Sequence, residues 1–375
     1  MEQALRDRGS IIGETEANGP VRASSNVVFQ SNPPSWALRR ISEHSRKDHS
    51  RSFVYPETAG ANVTVYILDT GIQVEHSDLK GRASWGATFG SNITQDDNGH
   101  GTFVAGIIAG SMYGVAKSAK VVAVKVLDRQ RSGYLSNIVQ GLNWTMSQHE
   151  PGDRSIINLS LDTPKSDILN RLIAAASQRG IIVVGSAGNG DKHGRPLDAC
   201  TRSPGSASAA ITVGAIDYYD RLARFSNYGS CVDLFAPGVN IRSLTHDSLD
   251  GSRSDEGTSF ASSYVAGVAA LILGDPPENI TLAPTEVRKR IFDSATLGAI
   301  RGMSPADGSN TLLFAGGWRG AQDGKAVSPS GDEEEEEVNG ASVSHSPPPL
   351  SPFPFWAHSL YTGLLVIMIL WIPAE

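Results

Sequence analysis

Val63-Thr64-Val65-Tyr66-Ile67-Leu68, closed by Asp69-Thr70-Gly71, is the stretch on which the fold turns. A β-branched run that ends at a turn signal reads as a strand. Four further runs share its character, at residues 121–127, 155–161, 180–185 and 210–214. Helical patterns fill residues 102–109, 136–148 and 167–179 between them. The strands show little alternation of apolar and polar side chains, which places helices over both of their faces. The pattern predicts an α/β fold: three-layer αβα with a mostly parallel central sheet.

In such sheets, ligands and reactive groups gather beyond the carboxyl ends of the strands. Asp69 closes the first strand, and Asn189 follows the fourth within Ser186-Ala187-Gly188-Asn189-Gly190. Asp96-Asp97-Asn98-Gly99-His100-Gly101-Thr102 opens an apolar helix that continues from Phe103. Glu256-Gly257-Thr258-Ser259-Phe260-Ala261-Ser262 leads into residues 264–273, which have helical length but no polar face and so belong in the interior. Ser259 then stands in a first turn, where unpaired N–H groups and the positive end of the dipole favour a developing anion.

An acid, an imidazole, an amide and a hydroxyl at the ends of one sheet suit nucleophilic catalysis. A hydroxyl attacks an amide only when a base takes its proton, and a buried carboxylate holds an imidazole in the tautomer that does so. The expected roles are Ser259 as nucleophile, His100 as general base and then acid, Asp69 as orienting carboxylate, and Asn189 as oxyanion donor beside the Ser259 N–H. Each residue has a plainer reading. Ser259 or Thr258 caps a helix, Asp69-Thr70-Gly71 is a turn, and Asn189 takes the left-handed turn suggested by Gly188 and Gly190. Asp-Thr-Gly also marks aspartic proteases, but no second such turn is present. Asp96, Asp97 and His100 invite a metal, but the i, i+4 His pair of a helical zinc site is missing. Taken together, the four placements favour catalysis.

The blocks Val65-Tyr66-Ile67-Leu68-Asp69-Thr70-Gly71-Ile72, Asn98-Gly99-His100-Gly101-Thr102, Ala187-Gly188-Asn189 and Gly257-Thr258-Ser259 resemble those of subtilisin-like serine proteases, in the Asp…His…Ser order of that family. Tyr113-Gly114-Val115-Ala116-Lys117, Val124-Lys125-Val126-Leu127-Asp128 and the stretch from Phe225 to Gly238 narrow the likeness to the proteinase K branch. The resemblance spans roughly residues 33–318. It implies a serine endopeptidase that needs no cofactor for catalysis. It also implies that Ser132-Gly133-Tyr134 and Ser160-Leu161-Asp162 clamp an extended peptide through its main chain. Asp233, with carbonyls near Ser208 and Ala210, matches a structural calcium position, and Cys200 and Cys231 match a disulfide pair. The chain departs from the family at Phe103, Phe260 and Ser263-Tyr264, a set expected to repack the wall behind Ser259. It departs again at Asp162, where the family has Gly; this carboxylate is expected either to narrow the specificity pocket or to favour a basic side chain.

The 375 residues carry a net charge of −7, much of it from Asp332-Glu333-Glu334-Glu335-Glu336-Glu337, so no basic surface suggests nucleic acid as a partner. With two cysteines there is neither a CxxC pair nor a metal-spaced cluster. The expected organisation is a leader or pro-segment remnant at residues 1–32, a peptidase domain at 33–318, an acidic and Ser/Pro-rich linker at 319–358 and an apolar tail at 359–375. The tail resembles a GPI-attachment signal, with small residues at Asn339-Gly340-Ala341 and a polar spacer before it. The N-terminus has no apolar core of a secretory signal. The expectation is nonetheless a secreted or surface-anchored monomer acting on polypeptides, touching a membrane only through that tail. Sequons at Asn62, Asn92, Asn143 and Asn279 permit glycosylation, while the one at Asn158 lies in a predicted buried strand. The main alternative is a catalytically silent relative that binds peptides or partners. A second is an esterase or transpeptidase using the same acyl-enzyme.

Overall fold

The computed structural model describes residues 27–48, 51–276, 282–316 and 318. Most of the leader, the acidic linker, the apolar tail and the Asn279 sequon lie outside the described residues. The central sheet contains β1 (Thr64–Asp69), β2 (Ala83–Thr88), β3 (Lys120–Lys125), β4 (Ser155–Leu159), β5 (Ile182–Ser186), β6 (Ala210–Ile216), β7 (Leu234–Pro237), β8 (Thr296–Leu297) and β9 (Thr311–Leu312). Their spatial order is β8-β9-β7-β6-β5-β4-β1-β3-β2. Every pairing is parallel except that of β8 with β9 at one edge. The sequence reading missed β2. Its Gly86 has no side chain to declare a strand and lies where the register shifts between Trp85 and Ala87. The short strands β7, β8 and β9 also fall below the length at which a pattern is legible.

Successive side chains of a strand point to opposite faces, and β1 shows what each face meets. Val65 and Ile67 join an apolar core with α1 (His100–Ala109) and α4 (Thr258–Gly274). Tyr66 and Leu68 join a second core with α2 (Leu135–Ser147) and α3 (Asp167–Gln178). Three layers result, as the sequence predicted. A further helix, α5 (Pro284–Ser294), packs on α4. All 17 residues of α4 are buried, as its lack of a polar face required. It packs across β4, β5, β6 and β7, which fixes where its first turn meets the carboxyl edge of the sheet.

Candidate active site

Asp69 ends β1 and is fully buried, so its carboxylate needs internal partners. It accepts from the Thr70 backbone N–H at 2.7 Å, and His100 Nδ1 lies 2.8 and 2.9 Å from its two oxygens. That approach depends on Gly101. A Cβ there would stand 2.0 Å from the Gly71 carbonyl oxygen and 3.2 Å from Asp69 Cβ, so only glycine lets the start of α1 close onto the end of β1. Gly99 precedes the helix at φ 98°, a left-handed conformation that favours glycine.

A second carboxylate fastens this junction. Asp96 accepts from Thr70 Oγ1 at 2.8 Å, from the backbone N–H groups of Asn98, Gly99 and Thr102, and from Thr102 Oγ1. It thus joins the turn after Asp69 to both sides of His100. Lys125, fully buried, donates at 2.7 Å to both the Thr70 carbonyl and Asp97. Sequence reasoning weighed Asp96 and Asp97 only as metal ligands. Their true partners are a neighbouring turn and a lysine one strand away.

Ser259 lies in the first turn of α4 and is 6% exposed, His100 5%, so little of either meets solvent. Ser259 Oγ donates to the Ser160 carbonyl at 3.1 Å, and no hydrogen bond joins it to His100. Three hydroxyls, those of Ser160, Ser262 and Ser263, donate to the Ser259 carbonyl at 3.0, 2.9 and 2.7 Å. This clamp escaped the sequence reading, although Ser262-Ser263 within an otherwise apolar helix was its signal. Asn189 Oδ1 accepts from the Thr258 N–H and Oγ1 at 2.8 and 2.9 Å. With its carbonyl held this way, the amide N–H₂ is directed to the opposite side. That nitrogen lies 3.6 Å from where a Cβ on Gly257 would stand, beside Ser259.

Two of the departures, Phe103 and Phe260, pack on each other behind Ser259. Phe103 and Phe260 lie 4.4 Å apart between ring centroids, and Phe260 lies 5.6 Å from the His100 ring. Tyr264 shares a 3.1 Å hydrogen bond with Ser35, and full burial pushes its phenol well above the usual range. Ser160, Leu161 and Asp162 follow β4 beside the segment after β5, with the Leu161 carbonyl accepting from Ser186 Oγ at 3.1 Å. Ser132, Gly133 and Tyr134 form an exposed segment before α2 that is not hydrogen-bonded to Ser259. Tyr134 is extended and 79% exposed. Cys200 and Cys231 form the disulfide, closing a span of 31 residues. In the chain-entropy model that loop stabilises by about 3–4 kcal/mol.

The calcium position reads differently in three dimensions. The Asp233 carboxylate accepts from Arg288 and from the Thr212 N–H, and Arg288 Nη1 donates at 2.9 Å to the Ala210 carbonyl. A guanidinium therefore takes both kinds of oxygen that a divalent ion was expected to collect. Burial pushes the Asp233 carboxyl up, and Arg288 pulls it back. Among the described residues, no group of three His, Cys, Asp or Glu is placed to hold a metal.

An acid at a strand end, with an imidazole and a hydroxyl heading two buried helices, defines a subtilisin-like α/β hydrolase architecture. A crystal structure of a cold adapted subtilisin-like serine proteinase superposes with a TM-score of 0.69 at 36% identity, covering 76% of this chain and 99% of that one. The chain belongs to the subtilase family of serine peptidases, whose model matches residues 60–319. It is 45% identical over 252 residues to the subtilase-type proteinase isp6 of Schizosaccharomyces pombe, covering 66% of this chain and 53% of isp6. It is 43% identical over 308 residues to subtilisin-like protease 2 of Pseudogymnoascus destructans, covering 82% and 73%. The chain thus spans about half the length of the first relative and about three-quarters of the second.

Proposed function

We propose that this chain is a serine endopeptidase working through Asp69, His100 and Ser259. The observation that carries the reading is the His100–Asp69 pair, both members buried, held at the carboxyl edge beside the first turn of α4. Asp69 keeps Nδ1 protonated and leaves Nε2 free to take a proton. Ser259 Oγ turns from the Ser160 carbonyl toward Nε2 when substrate arrives, in keeping with catalytic hydrogen bonds that tighten only in the complex. Oγ attacks the peptide carbonyl carbon and its proton passes to His100. The oxyanion is received by the Asn189 Nδ2–H and the Ser259 N–H. His100 then protonates the leaving nitrogen as the C–N bond breaks, and water repeats the sequence to release the acid.

The substrate in this reading is an extended polypeptide held between Ser132-Gly133-Tyr134 and Ser160-Leu161-Asp162. Its product is two shorter chains, and the enzyme acts as a monomer. A disulfide and exposed sequon asparagines at Asn62, Asn92 and Asn143 support a secreted or cell-surface location. Among the described residues no helix is long and apolar enough to cross a membrane, so attachment rests on the proposed GPI-type tail.

A silent, peptide-binding relative is the second reading, favoured by the Ser259 hydroxyl resting on Ser160 rather than on His100. Labelling by a serine-directed fluorophosphonate, together with turnover of a peptide amide, separates the two. The enzyme reading expects labelling of the wild type, none of Ser259→Ala, and a loss of turnover on the order of 10⁶, as for removal of the serine or histidine in subtilisin. A folded wild type that neither labels nor cleaves would establish the binder.

A further inference from the structure

The proposed main-chain clamp on the substrate gives the side chain of Asp162 no role. Asp162 stands where β4 has ended, and its Oδ2 lies 3.2 Å from the position a Cβ on Gly188 would take. Gly188 directly precedes Asn189, so the carboxylate overlooks the segment that carries the oxyanion donor. A free carboxylate there would draw a lysine or arginine side chain of the substrate. It is not free. Arg202 donates to Oδ2 through Nε at 2.8 Å, and its Nη2 lies 2.6 Å from the same oxygen.

The arginine is held in place from three sides. Arg202 and Ser203 pair in antiparallel register with Pro164 and Thr163, which puts Arg202 on the strand next to the one that follows Asp162. Cys200, two residues earlier, is tied to Cys231. Ser203 Oγ receives the Ser166 N–H at 2.9 Å and donates to Asn170 at 2.7 Å. A guanidinium fixed to the same scaffold as its carboxylate competes at an effective concentration that a dissolved substrate does not reach. The Asp162 and Arg202 side chains are 28% and 21% exposed, so the pair contributes little to folding stability. Its consequence is local: it sets which charge the pocket edge presents.

We propose that Arg202 is a specificity-determining residue. By occupying Asp162 it keeps the edge of the pocket electrically neutral, so the protein discriminates against both basic and acidic side chains at the residue preceding the scissile bond. The proposal rests on the endopeptidase reading for the location of that pocket. Between the two outcomes that Asp162 alone suggested, preference for a basic side chain is the one this pair suppresses.

The test uses the full chain and tetrapeptide p-nitroanilides that differ only in a terminal Leu, Lys or Glu. Arg202→Gln uncovers Asp162 and is expected to raise the Lys-to-Leu ratio of kcat/KM about tenfold. Asp162→Asn uncovers Arg202 and is expected to raise the Glu-to-Leu ratio. The double variant is expected to return both ratios to wild-type values. Ratios within twofold of wild type in both single variants overturn the proposal. Failure of the endopeptidase reading is a separate result, seen as no turnover beyond that of Ser259→Ala. In that event, affinities of the corresponding Leu, Lys and Glu peptide amides, measured by calorimetry for the same variants, read the same ratios.

Discussion

On one face of the sheet, α1 and α4 bury every residue they contain; on the other, α2 buries five of 13 residues and α3 three of 12. His100 and Ser259 both belong to first turns on the fully buried side. A helix packed all round has no direction in which to shift without opening a void or a clash, so a group at its start inherits a fixed position. An amphipathic helix has solvent behind it and tolerates adjustment. The proposed reactive groups are therefore carried by the helices least able to move, while α2 and α3 serve mainly to cover the sheet.

The sharpest way to break this contrast is to cut the same side chain on each face. Leu271→Ala empties a fully buried site in α4 and is expected to cost about 2–5 kcal/mol of stability. Leu172→Ala in α3 removes a partly buried leucine at the rim of the second core and is expected to cost less than half as much. Urea unfolding of both variants checks the pair. Equal losses would remove the distinction between a rigid and a covering face.

Much of this division was legible in the sequence. Unbroken apolar character in residues 264–273 foretold burial, and the ends of β1 and β5 and the starts of α1 and α4 foretold where Asp69, Asn189, His100 and Ser259 would lie. What stayed hidden is interaction between segments far apart in the chain. Lys125 meets Thr70 and Asp97, Arg202 meets Asp162, and Arg288 meets Asp233 across 55 positions. A charged side chain announces that it needs a partner, but its spacing in sequence does not say which one. At Asp233 the carboxylate has a cationic partner, Arg288 of α5, that spacing in the sequence did not reveal.

Arg288 sharpens the comparison at the opposite end of the sheet. It ties Ala210, the first residue of β6, to Asp233, just ahead of β7, and so bolts α5 to the amino edge of the strands. Arg288→Met leaves Asp233 with the Thr212 N–H and no cation. The expected loss is about 1–2 kcal/mol, below the figure for a wholly buried pair because both side chains are partly exposed. Calorimetric melting should show the wild-type midpoint unmoved by calcium or chelator at this position. In Arg288→Met, the freed oxygens should let added calcium recover part of the loss. A wild type that loses several degrees to chelation would instead support a bound calcium.

The last expected effect concerns a lysine that the buried-helix face holds in an unfavourable setting. Val115 fills the notch over Gly267 of α4. Two residues on, Lys117 lies 5.5 and 5.6 Å from the ring centroids of Phe53 and Tyr55, with its ammonium donating to the Gly114 carbonyl at 2.7 Å. Burial pushes this lysine down to about 7, with Asp78 pulling the other way. In the unfolded chain the group titrates near its ordinary value of about 10.4. Between those two values the unfolded state holds more protons than the native state, so stability rises with pH across that window. Below about 7 both states are charged and burial exacts its full cost. Lys117→Met removes the titration. Its melting temperature should exceed that of wild type most at pH 6, and the gap should narrow steadily toward pH 10. Parallel curves across that range would mean the ammonium is better hydrated than its surroundings indicate, and that even this face of the sheet has a wet margin.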